Sequence, residues 1–336
     1  MITDAIQKLV DRIDLDEAEA RAAMEHLMTG QASDAQVASF LTALRMKGET
    51  AAELVAFARV MREKADPFWD GEAPSVLDTC GTGGDRSGTF NISTAAALVV
   101  AGAGVSVAKH GNRSASSLCG SADVLEALGV NIQMPINVLR KAVTEVGMGF
   151  LFAQRFHTSM KHVMPARIQL KVRTVFNVIG PLANPALPRY QIVGVFSPAM
   201  MDLVANALLG LNTERALVVH SNDGLDEISI SAPTRVLEIR DGCIRPHLIK
   251  PEDFGATSAP LETLRGGDAR ANAAIIESIL KGERGSRRDV VLMNAGAALM
   301  ISGSASSLAE GFRQAEKSID TGAAFRRLQL LREMSA

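Results

Sequence analysis

Apolar residues recur at helical spacing through the first 65 positions. Val37, Phe40, Leu41 and Leu44 fall on one helical face, as do Leu54, Phe57, Ala58 and Met61. Both runs open with a capping-box pair, Ser33 with Gln36 and Thr50 with Glu53. Gly30 and Gly48 stand where C-terminal caps belong. The pattern predicts a small helical domain over residues 1–70, one apolar face per helix. Pro67 and Asp70-Gly71-Glu72 read as a linker.

After Pro74 the period changes. Short β-rich runs alternate with helical stretches: strand Ser75–Thr79, helix Ser93–Ala103, strand Val105–Ala108, helix Ala122–Leu128. Gln191–Phe196 then reads as a strand, Met200–Leu209 as a helix and Leu217–His220 as a strand. Such alternation predicts an α/β domain over 74–336 with a mostly parallel sheet, whose ligands sit beyond the carboxyl ends of the strands. Lys161–Val178 is helical in character between α/β units. It is expected to leave the sheet domain, at least for part of 161–180, and pack on the N-terminal helices. The final helix, near Ala323–Met334, reads as a solvated cap.

Composition narrows the class. The chain has 336 residues, 47% hydrophobic and 21% charged, so a large core needs no disulfide support. A net charge of −2 points to no nucleic-acid or membrane-surface partner. Cys80, Cys119 and Cys243 lie far apart without a CxxC pair, which suits a reducing cytoplasm. The chargeless run Ser87–Ala108 is polar in its first third, and its apolar remainder is too short to span a bilayer.

Four stretches carry candidate chemistry. Gly81-Thr82-Gly83-Gly84-Asp85 follows a strand and precedes Asn91-Ile92-Ser93-Thr94, which opens a helix. Glycines let backbone amides approach an anion, and a helix start adds free N–H groups and a favourable dipole. Lysine and Ser/Thr do not follow at P-loop spacing. Lys109 to Ser117 gathers two cations, a glycine and several hydroxyls after another strand. Asp223-Gly224-Leu225-Asp226-Glu227 offers adjacent carboxylates of the kind that hold Mg²⁺ beside substrate phosphates. Alone each is an ordinary turn; two phosphate loops that need a counter-ion give the acids their weight. His157 and Arg167 can meet an acidic aromatic molecule, and Phe176 to Pro185 reads as a turn or a rigid pocket wall.

Together these stretches resemble the anthranilate phosphoribosyltransferase family. The matching text is GTGGDRSGTFNISTAAA, VAKHGNRSASSLCGSADVLEALGV, FAQRFH, FNVIGPLANP, DGLDEIS and LRGGDARANA, and the likeness runs to about Leu299. The resemblance implies a helical domain and an α/β domain with the site between them, as in the nucleoside phosphorylase and phosphoribosyltransferase fold. It implies a homodimer formed through the helical domain, Mg²⁺ as cofactor, and transfer of the phosphoribosyl group of PRPP to anthranilate in tryptophan biosynthesis. PRPP would meet Gly81, Gly84, Asp85, Thr89, Asn91, Ile92, Ser93 and Thr94. It would also meet Lys109, His110, Gly111, Asn112, Arg113, Ser114, Ala115, Ser116, Ser117 and Ser121. Anthranilate would meet Gly81, Asn112, His157, Arg167 and Pro181. Ser93, Asp226 and Glu227 would hold the metal. Lys109, His110 and Arg167 are the candidate catalytic residues, with His110 or the substrate's own carboxylate taking the late proton.

The chain departs from the common family pattern at four places: Arg86 for a frequent glycine, Cys119 for serine, Ser221 for glycine, and Thr158-Ser159 for Pro-Ala. The rival readings are a nucleoside phosphorylase of the same fold, which has no need of the acids at Asp226 and Glu227, and a non-catalytic nucleic-acid binder, which would show a basic face.

Overall fold

The computed structural model describes residues 2–114 and 118–336. Four helices come first: α1 (Ile2–Val10), α2 (Glu17–Met28), α3 (Asp34–Lys47) and α4 (Ala51–Lys64). The capping boxes at Ser33 and Thr50 form, and a third, Asp16 with Glu19, opens α2. Leu9, Met24, Leu27, Phe40, Leu44, Leu54 and Phe57 are fully or almost fully buried between these helices. Phe40 and Phe57 meet edge to face at 6.1 Å.

The strands are β1 (Leu77–Asp78), β2 (Val107–Gly111), β3 (Met148–Phe152), β4 (Tyr190–Gly194), β5 (Arg215–Ser221), β6 (Thr234–Arg240) and β7 (Cys243–Ile249). They form one sheet in the order β3-β2-β1-β4-β5-β6-β7. The first five run parallel, and β6 and β7 add an antiparallel hairpin at one edge. The chain winds outward from β1 through β2 to β3, then returns to the other side of β1 with β4. The sheet therefore reverses its direction of growth between β1 and β4, the place where open α/β sheets bind ligands.

The remaining helices are α5 (Ile92–Gly102), α6 (Ser121–Ala127), α7 (Ile136–Lys141), α8 (Ala153–Phe156), α9 (Met164–Leu170), α10 (Met201–Gly210), α11 (Pro251–Phe254), α12 (Ala269–Leu280), α13 (Ser286–Ile301), α14 (Leu308–Asp320) and α15 (Ala323–Ser335). Two hydrophobic clusters divide them. In one, α5, α13, α14 and α15 share a core with β2 and β3. In the other, α1 to α4 share a core with α10 and with Val193, Val195, Ala216 and Val218 on or beside the sheet.

Val163, Ala166, Val175 and Phe176 of the 161–180 segment are buried in this second cluster, beside the N-terminal helices. The last helix differs from its reading as a solvated cap. Ala324, Leu328 and Leu331 of α15 are fully buried, and α15 packs along α5. Its leucines close the core while its arginines stay partly exposed on the outer face. Among the described residues no helix is long and apolar enough to cross a membrane.

Candidate active site

The turn after β1 is fixed by backbone packed on backbone. Thr82 N–H donates to Gly194 O at 2.8 Å, and the Thr82 hydroxyl reaches the same carbonyl at 3.2 Å. A Cβ on Gly81 would sit 2.9 Å from Gly194 O, and one on Gly194 would sit 1.6 Å from Asp226 O. Glycine at 81 and 194 thus lets the turn after β1, the end of β4 and the acidic loop after β5 stack in direct contact. This stacking brings Gly81–Asp85 together with Asp226 and Glu227.

Asp85, Asp226 and Glu227 crowd one another. Burial, then the charges of Asp85 and Glu227, hold the Asp226 carboxyl well above its ordinary range. Burial pushes Glu227 up to about 7, with Lys109 opposing. One oxygen of Asp85, Oδ2, is buried without a hydrogen-bond partner. The backbone N–H of Ser93, in the first turn of α5, donates to Glu227 Oε1 at 3.2 Å. Lys109 is 2% exposed and donates to Thr79 O at 3.0 Å, Thr79 Oγ1 at 3.1 Å and Ser93 Oγ at 3.3 Å. Asp223, the first acid of the loop, faces elsewhere. It accepts from Leu225 N–H and from the hydroxyls of Ser229 and Ser231, and so shapes the loop.

Around Asn112 the second loop is organised by Asp123. Its Oδ2 accepts from Ser114 N–H at 3.1 Å and from Gly120 N–H at 2.8 Å. Arg113, expected on a phosphate, bonds the carboxylates of Asp123 and Glu126. Asn112 Oδ1 accepts from Gln154 Nε2 at 3.2 Å, and Asn112 O takes the Ser121 hydroxyl at 3.4 Å. Gly111 lies against Ser121 and Phe150. Ala115, Ser116 and Ser117 lie outside the described residues.

A second group of side chains gathers at the end of β2. His110 Nδ1 lies 3.1 Å from Gly180 O, and its ring meets His157 edge to face at 5.3 Å. The Nε2 atoms of both histidines are buried without a partner. Burial, and for His110 the neighbouring ring, pushes His110 down to about 3 and His157 down to about 4. Both rings are therefore neutral at pH 7. Pro181 is buried in the adjoining turn, where its carbonyl accepts from Gln191 Nε2 at 2.9 Å. Arg167 stands apart on α9, its guanidinium 4.9 Å from the Phe176 ring centre.

A family model described as "Glycosyl transferase family, helical bundle domain" matches residues 3–65, and one described as "Glycosyl transferase family, a/b domain" matches residues 73–325. An anthranilate phosphoribosyltransferase of Symbiobacterium thermophilum is 53% identical over 98% of this chain and 96% of its own length. The chain belongs to the anthranilate phosphoribosyltransferase family. The crystal structure of the family's Thermus thermophilus member superposes with a TM-score of 0.93 at 44% identity, covering 98% of this chain and 99% of that one. A Saccharomyces cerevisiae anthranilate phosphoribosyltransferase in complex with PRPP and Mg has a TM-score of 0.91 at 29% identity, covering 99% and 97%.

Against this family background, Arg86 is informative. It sits at φ +63°, in the left-handed region that favours glycine, which accounts for the glycine common there. Cys119 bonds Asn91, its thiol reaching Asn91 Oδ1 at 3.4 Å. Ser221 is fully buried and its hydroxyl reaches Pro233 O at 3.4 Å.

Several residues that support the site carry no local signal. Asp78 is fully buried in β1 and accepts from His110 N–H at 3.2 Å and Asn184 Nδ2 at 2.8 Å. Asn272 of α12 donates to Asn91 Oδ1 at 3.0 Å, and Gly267 N–H donates to Asn272 Oδ1 at 2.7 Å. Thr89 forms a bridge with Arg265 in the same region. Asn294 of α13 holds Ile228 through both backbone groups, at 3.1 and 2.8 Å. These amides join the LRGGDARANA stretch to the start of α5, and α13 to the segment after the acidic loop.

Proposed function

We propose that the chain transfers the phosphoribosyl group of PRPP to the amino group of anthranilate, giving N-(5-phosphoribosyl)anthranilate and pyrophosphate, in tryptophan biosynthesis. The observation that carries this reading is the convergence of the Gly81–Asp85 turn, the start of α5, Lys109 and the Asp226-Glu227 pair at the sheet's switch point. Amides at Gly81 to Asp85 and Asn91 to Thr94 bind phosphate oxygens. Lys109 places a fixed positive charge beside Ser93, where negative charge grows as pyrophosphate departs.

Asp226, Glu227 and Ser93 suit Mg²⁺, which takes oxygen ligands and is usually held by one or two carboxylates with phosphate and water. Asp85 Oδ2, buried without a partner beside Asp226, suits a cation nearby; among the described residues no three His, Cys, Asp or Glu side chains close on one metal position, so phosphate and water would complete the set. When bound, Mg²⁺ neutralises pyrophosphate charge. The aryl substrate's amine is neutral at pH 7, so it needs positioning more than a strong base. Arg167 binds its carboxylate as a fork, and Pro181, His157 and Asn112 line its berth. His110, neutral and with Nε2 unpartnered, accepts a hydrogen bond; the late proton goes to this ring or to the substrate's own carboxylate.

We assign the helical domain to residues 1–70 with part of 161–180, and the α/β domain to 74–336. A homodimer through the helical side is supported by exposed apolar side chains there: Val10, Ile13, Met46, Ile168 and Val172. Cys80, Cys119 and Cys243 carry thiols and form no disulfide, which suits a reducing cytoplasm. Mixing the protein with PRPP, Mg²⁺ and anthranilate tests the reaction. Anthranilate fluorescence is expected to fall with time; a steady signal with folded protein contradicts the substrate assignment.

A further inference from the structure

One cation near the site is used by none of these roles. Arg173 follows α9 by three residues, on the segment that leads from Arg167 into the turn Val175–Asn177. Its Nη2 donates to Gly84 O at 2.5 Å, and its guanidinium lies 4.2 Å from the Phe196 ring centre. Phe196 N–H in turn donates to Thr82 Oγ1 at 3.2 Å. A single side chain thus ties the glycine turn to the end of β4 and to the segment carrying Arg167.

The grip has a direction. The Gly84–Asp85 peptide is trans, so its N–H points opposite to its C=O. Holding the carbonyl therefore fixes the aim of the Asp85 amide, away from Arg173. Asp85 belongs to the carboxylate group with Asp226 and Glu227. A cation on the carbonyl also polarises the peptide and strengthens its N–H as a donor. Gly84 sits at φ +86°, and a Cβ there would lie 3.2 Å from Arg173 Nη2, so glycine both allows the turn and leaves room for the guanidinium.

We infer that Arg173 is a positioning residue that aims the Asp85 amide at a phosphate group of PRPP. This rests on the function proposed above. The test is calorimetric binding of PRPP with Mg²⁺, together with steady-state kinetics, for the full chain and for Arg173→Met, Arg173→Lys and Phe196→Leu. Arg173→Met is expected to weaken PRPP binding about tenfold, the range of one charge-assisted hydrogen bond. KM for PRPP should rise alike, with KM for anthranilate changed by less than about twofold. Arg173→Lys should recover part of the loss, and Phe196→Leu should show a smaller loss of the same kind. Unchanged PRPP binding in Arg173→Met, or equal rises in both KM values with a lowered Tm, overturns the inference. Failure of the unmodified protein to bind PRPP instead counts against the proposed reaction.

Discussion

Around the Gly81–Asp85 turn, the place proposed for phosphate, charges are buried and cross-braced: Lys109 on Thr79 and Ser93, Glu227 on the Ser93 amide, and Asp226 against Asp85. Near the end of β2, the place proposed for the aryl acid, His110 and His157 are buried, neutral and each left with one unpartnered nitrogen. The difference matches two kinds of substrate surface. Phosphate oxygens need fixed donors and charge, which must be braced before the substrate arrives. A flat aryl acid needs an apolar wall with a few polar atoms to orient it.

Removing the brace should have the largest effect. Lys109→Met leaves Asp78 and Glu227 buried without their neighbouring cation, so urea unfolding should show a loss of about 3–5 kcal/mol, with activity nearly abolished. Near-normal stability would mean that the charges are not coupled. On the aryl side the effect should be narrower. Arg167→Ala is expected to raise KM for anthranilate, at a cost of about 1.5–3 kcal/mol. A rise in KM for PRPP alone would move Arg167 out of the aryl berth.

The smallest effect is one of pH. His157 is held down to about 4, below the unfolded value near 6.5, so the unfolded chain takes up a proton first as pH falls. Stability is therefore lost through this group between about pH 6.5 and 4. Asp78, raised to about 6, and Glu227, raised to about 7, act in the opposite sense, losing stability as pH rises. Comparison with His157→Asn isolates the histidine. The stability difference between wild type and variant should shift by about 2 kcal/mol against wild type between pH 7.5 and 5. A difference independent of pH would show that His157 titrates normally.

Much of this contrast is legible in the sequence, for physical reasons. Gly81, Gly84, Asp226 and Glu227 stand in short loops after strands, where glycine and charge density are local signals, and Lys109 is a charge inside the β-rich run of β2. The helix caps at Ser33 and Thr50 are equally local. What is not legible depends on long separations. Asn184 reaches Asp78 across 106 positions and Asn272 reaches Asn91 across 181. Of the hairpin β6–β7, β7 is mostly exposed and holds Pro246, a weak strand signal, whereas β6 buries Thr234, Val236 and Ile239 between charged residues and carries a strand signal that a reading by alternation could find. The ion pairs of Arg113 with Asp123 and Glu126, acids 10 and 13 positions along the chain, are likewise absent from a reading by local motifs.

Glycine turns, Lys109 and a divalent cation are proposed to act as one berth for PRPP. Titrating the folded protein with PRPP, with and without Mg²⁺, tests it most directly. Saturable heat with Mg²⁺ and much weaker binding without it is the expected result. No binding in either case, or equal binding in both, would contradict the account.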